Sequence, residues 1–109
     1  MLRLLQDSQD KVHQQNEELQ ILASRDPLTD CLNRRALFQA IDREIEAANR
    51  SGQPLSCVMC DIDYFKKIND THGHIVGDEV IRHIAATLKN LTRDTDAVGR
   101  YGGEEFCIL

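Results

Sequence analysis

Gly102-Gly103-Glu104-Glu105-Phe106 sets two carboxylates directly after a pair of glycines, between the β-favouring runs Ala97-Val98-Gly99-Arg100-Tyr101 and Cys107-Ile108-Leu109. A glycine pair between two such runs predicts a two-residue hairpin turn. A second acidic element, Asp61-Ile62-Asp63-Tyr64-Phe65-Lys66, closes an earlier apolar run. If the strand ending at Asp61 lies beside the hairpin, Asp61 and Glu104 reach the same rim of a sheet. Hard oxygen donors converging there suit Mg2+ or Mn2+, ions that keep open positions for water and phosphate. Lys66, one turn beyond Asp61, adds a cation for a polyphosphate. Taken singly, an Asp-x-Asp is ordinarily a strand-end or capping pair, so the reading rests on the two elements together.

The elements that must position these groups follow from periodicity and punctuation. Residues 1–24 hold no Gly or Pro and are rich in Gln, Glu and Leu, which predicts one helix. Leu5, Val12 and Leu19 recur every seven residues, a partial coiled-coil seam whose partner positions include Ser8 and Gln15. It reads equally as a dimerising, signal-carrying helix or as a solvated helix packed on its own domain. Asp26-Pro27 ends it and opens a domain over 25–109, with Asp26 as the cap of a new turn. Asn33 caps a predicted helix over 34–49 with apolar face Leu37, Phe38, Ile41 and Ile45, closed by Ser51-Gly52-Gln53-Pro54. Leu55 to Cys60 reads as a strand at the centre of a sheet covered on both faces. A short helical turn over 61–70 and a bend at Thr71-His72-Gly73-His74 lead into a helix over 75–91, with Val76, Val80, Ile81, Ile84, Leu88 and Leu91 inward. The order is that of an α/β layer with helices packed on a sheet.

Composition removes several classes. A net charge of −5 argues against sequence-independent nucleic-acid binding, which needs a basic face, but leaves room for an anionic small ligand held by local cations and metal. No apolar run is long enough to span a bilayer and no signal-peptide core is visible, so a cytoplasmic location is expected. The cysteines Cys31, Cys57, Cys60 and Cys107 are expected as reduced, small apolar residues. Cys57 and Cys60 are three apart on a strand and face opposite ways, which rules out two ligands of one zinc.

The chain resembles the GGDEF family of diguanylate cyclases, with Glu at the third signature position. The likeness runs from Asp26-Pro27-Leu28-Thr29 and Leu32-x-Arg34-Arg35, through Asp61-Ile62-Asp63-x-Phe65-Lys66, Asn69-Asp70 and Gly73-His74-x-x-Gly77-Asp78, to Gly102–Phe106. It implies an α+β sandwich with a nucleotidyl-cyclase, palm-like sheet, and condensation of two GTP into cyclic di-GMP with release of two pyrophosphates. It also implies that Asp61, Glu104 and the carbonyl of Ile62 hold the metal, with Glu105 a second ligand or an aid to deprotonating the nucleophile. The amides of Tyr64 and Phe65 and the side chain of Lys66 would meet the triphosphate, and Asn69 and Asp78 would read guanine. Since the product has two-fold symmetry, two domains facing each other as a homodimer would make one site. Arg93-Asp94-Thr95-Asp96 stands at the family's spacing for an inhibitory product site, Arg93 and Asp96 gripping cyclic di-GMP; without the family it is a charged helix exit. The chain stops three residues past the signature, so an incomplete domain is expected, without the segment that completes the sheet and carries further basic residues.

Overall fold

The computed structural model of the protein describes residues 23–109 together with Gln15; apart from Gln15, Ala23 and Ser24, the predicted N-terminal helix lies outside the described residues, as do Leu5, Val12 and Leu19 of its heptad seam. Over 23–109 the order is α1 (Arg34–Ser51), β1 (Val58–Asp61), α2 (Phe65–His72), α3 (His74–Leu91), β2 (Val98–Arg100) and β3 (Glu105–Ile108). This is an α+β arrangement with one antiparallel sheet, in the order β1-β3-β2.

The helix ends form where local chemistry dictates. Asn33 sits in the extended region and its Oδ1 accepts the amide of Ala36 at 2.9 Å, which starts α1. Gly52, in the left-handed region at φ 71°, ends it by donating its N–H to the Ala48 carbonyl. The short turn expected after Asp61 is a true helix, α2, separated from α3 by Gly73 alone.

Phe106 is fully buried at the middle of the sheet, paired with Cys60 on β1 and with Arg100 on β2. Its face carries Val98, and against them pack Phe65 of α2, Ile81 and Ala85 of α3, and Cys31. Strand residues alternate between faces, so Gly99 points the other way, onto α1. A Cβ at Gly99 would fall 2.6 Å from Leu37 Cδ1 and 2.9 Å from Leu37 Cβ. Leu37 is itself fully buried, so only glycine admits so close an approach.

Four expectations are corrected. The strand predicted from Leu55 begins at Val58 and lies at the edge of the sheet, with β3 in the centre; Val58 and Met59 are 52% and 55% exposed. An apolar run shows that a strand forms but not how many partners it has. α1 buries Ala36, Leu37 and Ala40, whereas Phe38 and Ile45 stand outward. Phe38 instead meets Tyr101 edge-on at 5.9 Å, with the Arg34 guanidinium 4.6 Å from the Tyr101 ring centre. On α3, Ile81 and Ala85 are buried and Val76 and Leu91 are exposed. Finally, neither Gly102 nor Gly103 has a positive φ, so the two-residue turn is not formed. The loop is wider, and the Glu105 carbonyl accepts from the amides of Tyr101 at 2.8 Å and Gly102 at 3.3 Å.

Candidate functional site

Asp61 ends β1 and stands opposite Glu105, the first residue of β3. One step on, the amide of Ile62 donates to the carbonyl of Glu104 at 3.1 Å. The two acidic elements therefore meet at one rim of the sheet, as their sequence positions suggested. Directly opposed residues of an antiparallel pair lie ~4.5–5.5 Å apart at Cα, within reach of one cation bound between side chains. The Asp61 side chain is exposed, and that of Glu105 folds back over Gly102, where an added Cβ would come 3.4 Å from Oε2.

Among the described residues no three His, Cys, Asp or Glu side chains converge on a common ion position. The donors at the rim are instead an open set: the carboxylates of Asp61, Glu104 and Glu105, and the carbonyl of Ile62. Mg2+ is commonly held by one or two carboxylates, with water and substrate phosphate filling the other positions, so this donor set fits it.

Beyond the rim, Tyr64 adopts the left-handed region at φ 59° as the residue preceding α2, and its side chain is 80% exposed. Phe65 turns its ring into the core, and Lys66 is exposed in the first turn of α2. Asn69, further along α2, has a buried Oδ1 with no hydrogen-bond partner among the described residues. That atom lies against Gly77 of α3: a Cβ there would stand 1.8 Å from Asn69 Oδ1 and 3.4 Å from Phe65 Cζ. Asp78 follows Gly77 and is exposed. The α2–α3 corner thus places a buried acceptor, without a hydrogen-bond partner among the described residues, against Gly77, and an exposed carboxylate on the next residue, Asp78.

Sequence reasoning missed Arg100. Its Nη2 and Nε donate to the carbonyl of Gly103 at 2.8 and 3.2 Å, and its Nη1 lies 3.2 Å from both carboxylate oxygens of Asp26. Asp26 also accepts from the amide and hydroxyl of Thr29, at 2.9 and 2.8 Å, and so caps its turn as expected. Arg100 ties that turn to the loop carrying Glu104. A charged residue in a strand two positions before the glycine pair was the available signal, but its partner lies 74 positions away.

Burial by itself would raise the Asp26 pKa; the Thr29 hydroxyl and amide and the Arg100 guanidinium outweigh it and hold the carboxyl below its ordinary value. The stabilisation is therefore complete above the ordinary carboxylate range and fades as pH falls through the depressed value. Asp26→Asn is expected to cost about 2 kcal/mol at neutral pH, with the deficit narrowing towards about pH 3. Urea midpoints of both proteins at the two pH values measure it, and a deficit independent of pH would contradict the ionic account.

Arg93 and Asp96 lie past the C-terminus of α3 and close a turn on themselves: Asp96 Oδ2 accepts the Arg93 amide at 2.9 Å, and the Asp96 amide donates to the Arg93 carbonyl at 2.9 Å. They line a cavity of about 470 Å³ with Arg25, Asp30 and Lys89. Lys89 is already engaged there, with the Thr29 carbonyl at 3.1 Å and Asp30 at 3.7 Å. Among the described residues no helix is long and apolar enough to cross a membrane.

Comparison with known proteins bears on this arrangement. Residues 23–109 match the family model described as "Diguanylate cyclase, GGDEF domain". The diguanylate cyclase DosC of Escherichia coli K12 is 50% identical over 84 residues, 77% of this chain and 18% of that protein. The crystal structure of the coiled coil and GGDEF domain of DgcB from Caulobacter crescentus, in complex with c-di-GMP, superposes with a TM-score of 0.81 at 36% identity. It covers 95% of this chain and 56% of that one. The active GGEEF domain of a diguanylate cyclase from Vibrio cholerae gives a TM-score of 0.68 at 46% identity, over 72% of this chain and 49% of that one. The chain thus spans about a fifth of the length of the curated relatives it matches and about half of the solved GGDEF-domain chains.

Proposed function

The chain belongs to the diguanylate cyclase GGDEF-domain family, and from that premise we propose that residues 25–109 form part of a half-site for condensing two GTP molecules into cyclic di-GMP. The observation that carries the reading is the pairing of Asp61 with Glu105, with the Ile62 amide on the Glu104 carbonyl, which brings both acidic elements to one rim. Asp61, Glu104 and the carbonyl of Ile62 would hold a divalent cation, Mg2+ or Mn2+. When bound, that cation neutralises charge on the triphosphate and on the attacking and leaving oxygens.

The chain's own groups then orient the nucleotide. The amides of Tyr64 and Phe65 and the ammonium of Lys66 receive the triphosphate oxygens. Asn69, once its amide turns away from Gly77 where its Oδ1 is buried, meets the guanine edge, and the exposed Asp78 carboxylate accepts from adjacent N–H groups of the base. Glu105 binds cation or assists loss of the 3′-hydroxyl proton. That hydroxyl attacks the α-phosphate of the GTP on the facing domain, and pyrophosphate leaves in line. Repetition with the roles exchanged closes the ring, which requires two domains across a two-fold axis. Residues 1–24 serve as the dimerising segment that raises the local concentration of the two half-sites.

Turnover of GTP with Mg2+ tests this reading. Glu104→Gln keeps shape and removes charge, and is expected to lower the rate by at least ~10²-fold; an unchanged rate would rule out the metal assignment. A second role, product inhibition, is favoured by the cavity beneath Arg93 and Asp96. Arg93→Ala should abolish calorimetric binding of cyclic di-GMP there, and equal binding by the variant would exclude that site. If the product binds but GTP is never turned over, the domain is a sensor or dimerisation module.

A further inference from the structure

The four cysteines are not equivalent, and none of them is in a disulfide. Cys31 is fully buried with Phe106 and Ile81, and Cys60 packs against the same cluster. Cys57 lies outside the paired register, just before β1, and is exposed. Its Sγ stands 3.1 Å from Sγ of Cys107, a buried residue of the central strand. Cys57 was expected as a packed apolar side chain, and the structure instead leaves it at the surface, touching a second thiol.

We propose that Cys57 and Cys107 are an oxidation site, closing to an intramolecular disulfide on exposure to hydrogen peroxide and reopening with a thiol reductant. The Cys57 thiolate attacks the peroxide: an S–O bond forms, the O–O bond breaks, and the departing oxygen leaves as water after taking a proton. The sulfur of Cys107 then attacks that of the Cys57 sulfenic acid, forming the S–S bond and releasing a second water. Both sulfurs are oxidised, one peroxide is reduced to two waters, and the protein loses two hydrogens.

Exposure decides the order of events. Cys57 is exposed whereas Cys107 is 1% exposed on the central strand, so Cys57 meets the oxidant first and Cys107 is the sulfur that resolves it. The sulfurs must approach by about 1 Å to reach bonding distance. Cys57 can supply this movement because the β1–β3 register begins only at Val58. The bond staples the β1–β3 ladder at the end away from Asp61 and Glu105. It therefore fixes the register of the two strands that carry the acidic rim.

The protein is treated with a small excess of hydrogen peroxide and analysed by intact mass, then alkylated and peptide-mapped without reduction. The expected result is a monomer lighter by two hydrogens, with a Cys57–Cys107 linked peptide that disappears on treatment with dithiothreitol. Cys57→Ser changes an exposed residue and should fold normally, and it should lower the linked fraction at least about tenfold, whereas Cys60→Ala should not. Cys107→Ala is the reciprocal control. A two-hydrogen loss that persists in Cys57→Ser, a link through Cys60, or oxygen addition at Cys57 without a link would each overturn the proposal.

Discussion

Under the proposed function, exchange of Asp61 for asparagine is expected to lower conversion of GTP to cyclic di-GMP by at least ~10²-fold at millimolar Mg2+, with little change in stability. Two observations separate the effects. Asp61 is exposed, and its hold on the sheet is its backbone pairing with Glu105, which the substitution preserves. What is lost is a full negative charge among the hard donors at the rim, where an amide oxygen is a poorer ligand for Mg2+. Because the deficit lies in cation binding, part of it should be recovered as the Mg2+ or Mn2+ concentration rises. Rates measured across a metal titration, beside thermal unfolding of both proteins, decide the matter. Equal rates at every metal concentration would remove Asp61 from the cation site.

The second large effect belongs to a residue of the same signature with a different task. Phe106→Ala is expected to destabilise the protein by ~3–5 kcal/mol, the range for emptying a well-packed aromatic site. Phe106 is fully buried, stands on the central strand with partners on both sides, and packs among Cys31, Phe65, Ile81, Ala85 and Val98. Its ring cannot be replaced by movement of β3 alone, since β3 is bonded to β1 and β2. Denaturant unfolding gives the value directly, and a loss below about 1 kcal/mol would show that the core closes over the cavity. The five residues Gly102–Phe106 thus divide between two jobs: Glu104 and Glu105 present carboxylates, and Phe106 anchors the strand that presents them.

That division was only partly legible in the residues. The carboxylates could be singled out because charge beside an apolar run is conspicuous, and the start of α1 could be placed because Asn33 needs only its own neighbour three residues on. The glycine pair suggested a tight turn, yet the loop widens because the Glu105 carbonyl gathers the amides of both Tyr101 and Gly102. Phe38 carries helical periodicity but stands outside, because α1 approaches β2 so closely at Leu37 and Gly99 that Ala36 and Ala40 fill the interface. The placement of β1 at the edge depends on which strands pair, a choice that an apolar run leaves open.

By itself, the sequence determined the family, the helices and strands of the 23–109 region to within a few residues, and the types of group at the rim and at the α2–α3 corner. These are local properties, set by side-chain type, capping and hydrophobic period over a few residues. The tertiary fold set three further features: Arg100 joins the Asp26 turn to the Gly103 loop, Asn69 Oδ1 is buried against Gly77 without a partner among the described residues, and the Cys57 sulfur meets that of Cys107. Each joins side chains brought together by packing: across strands and turns distant in the chain for Arg100 and the cysteines, and across a helix corner for Asn69. Distances of this kind are set by how the layers close on one another, which no local pattern encodes.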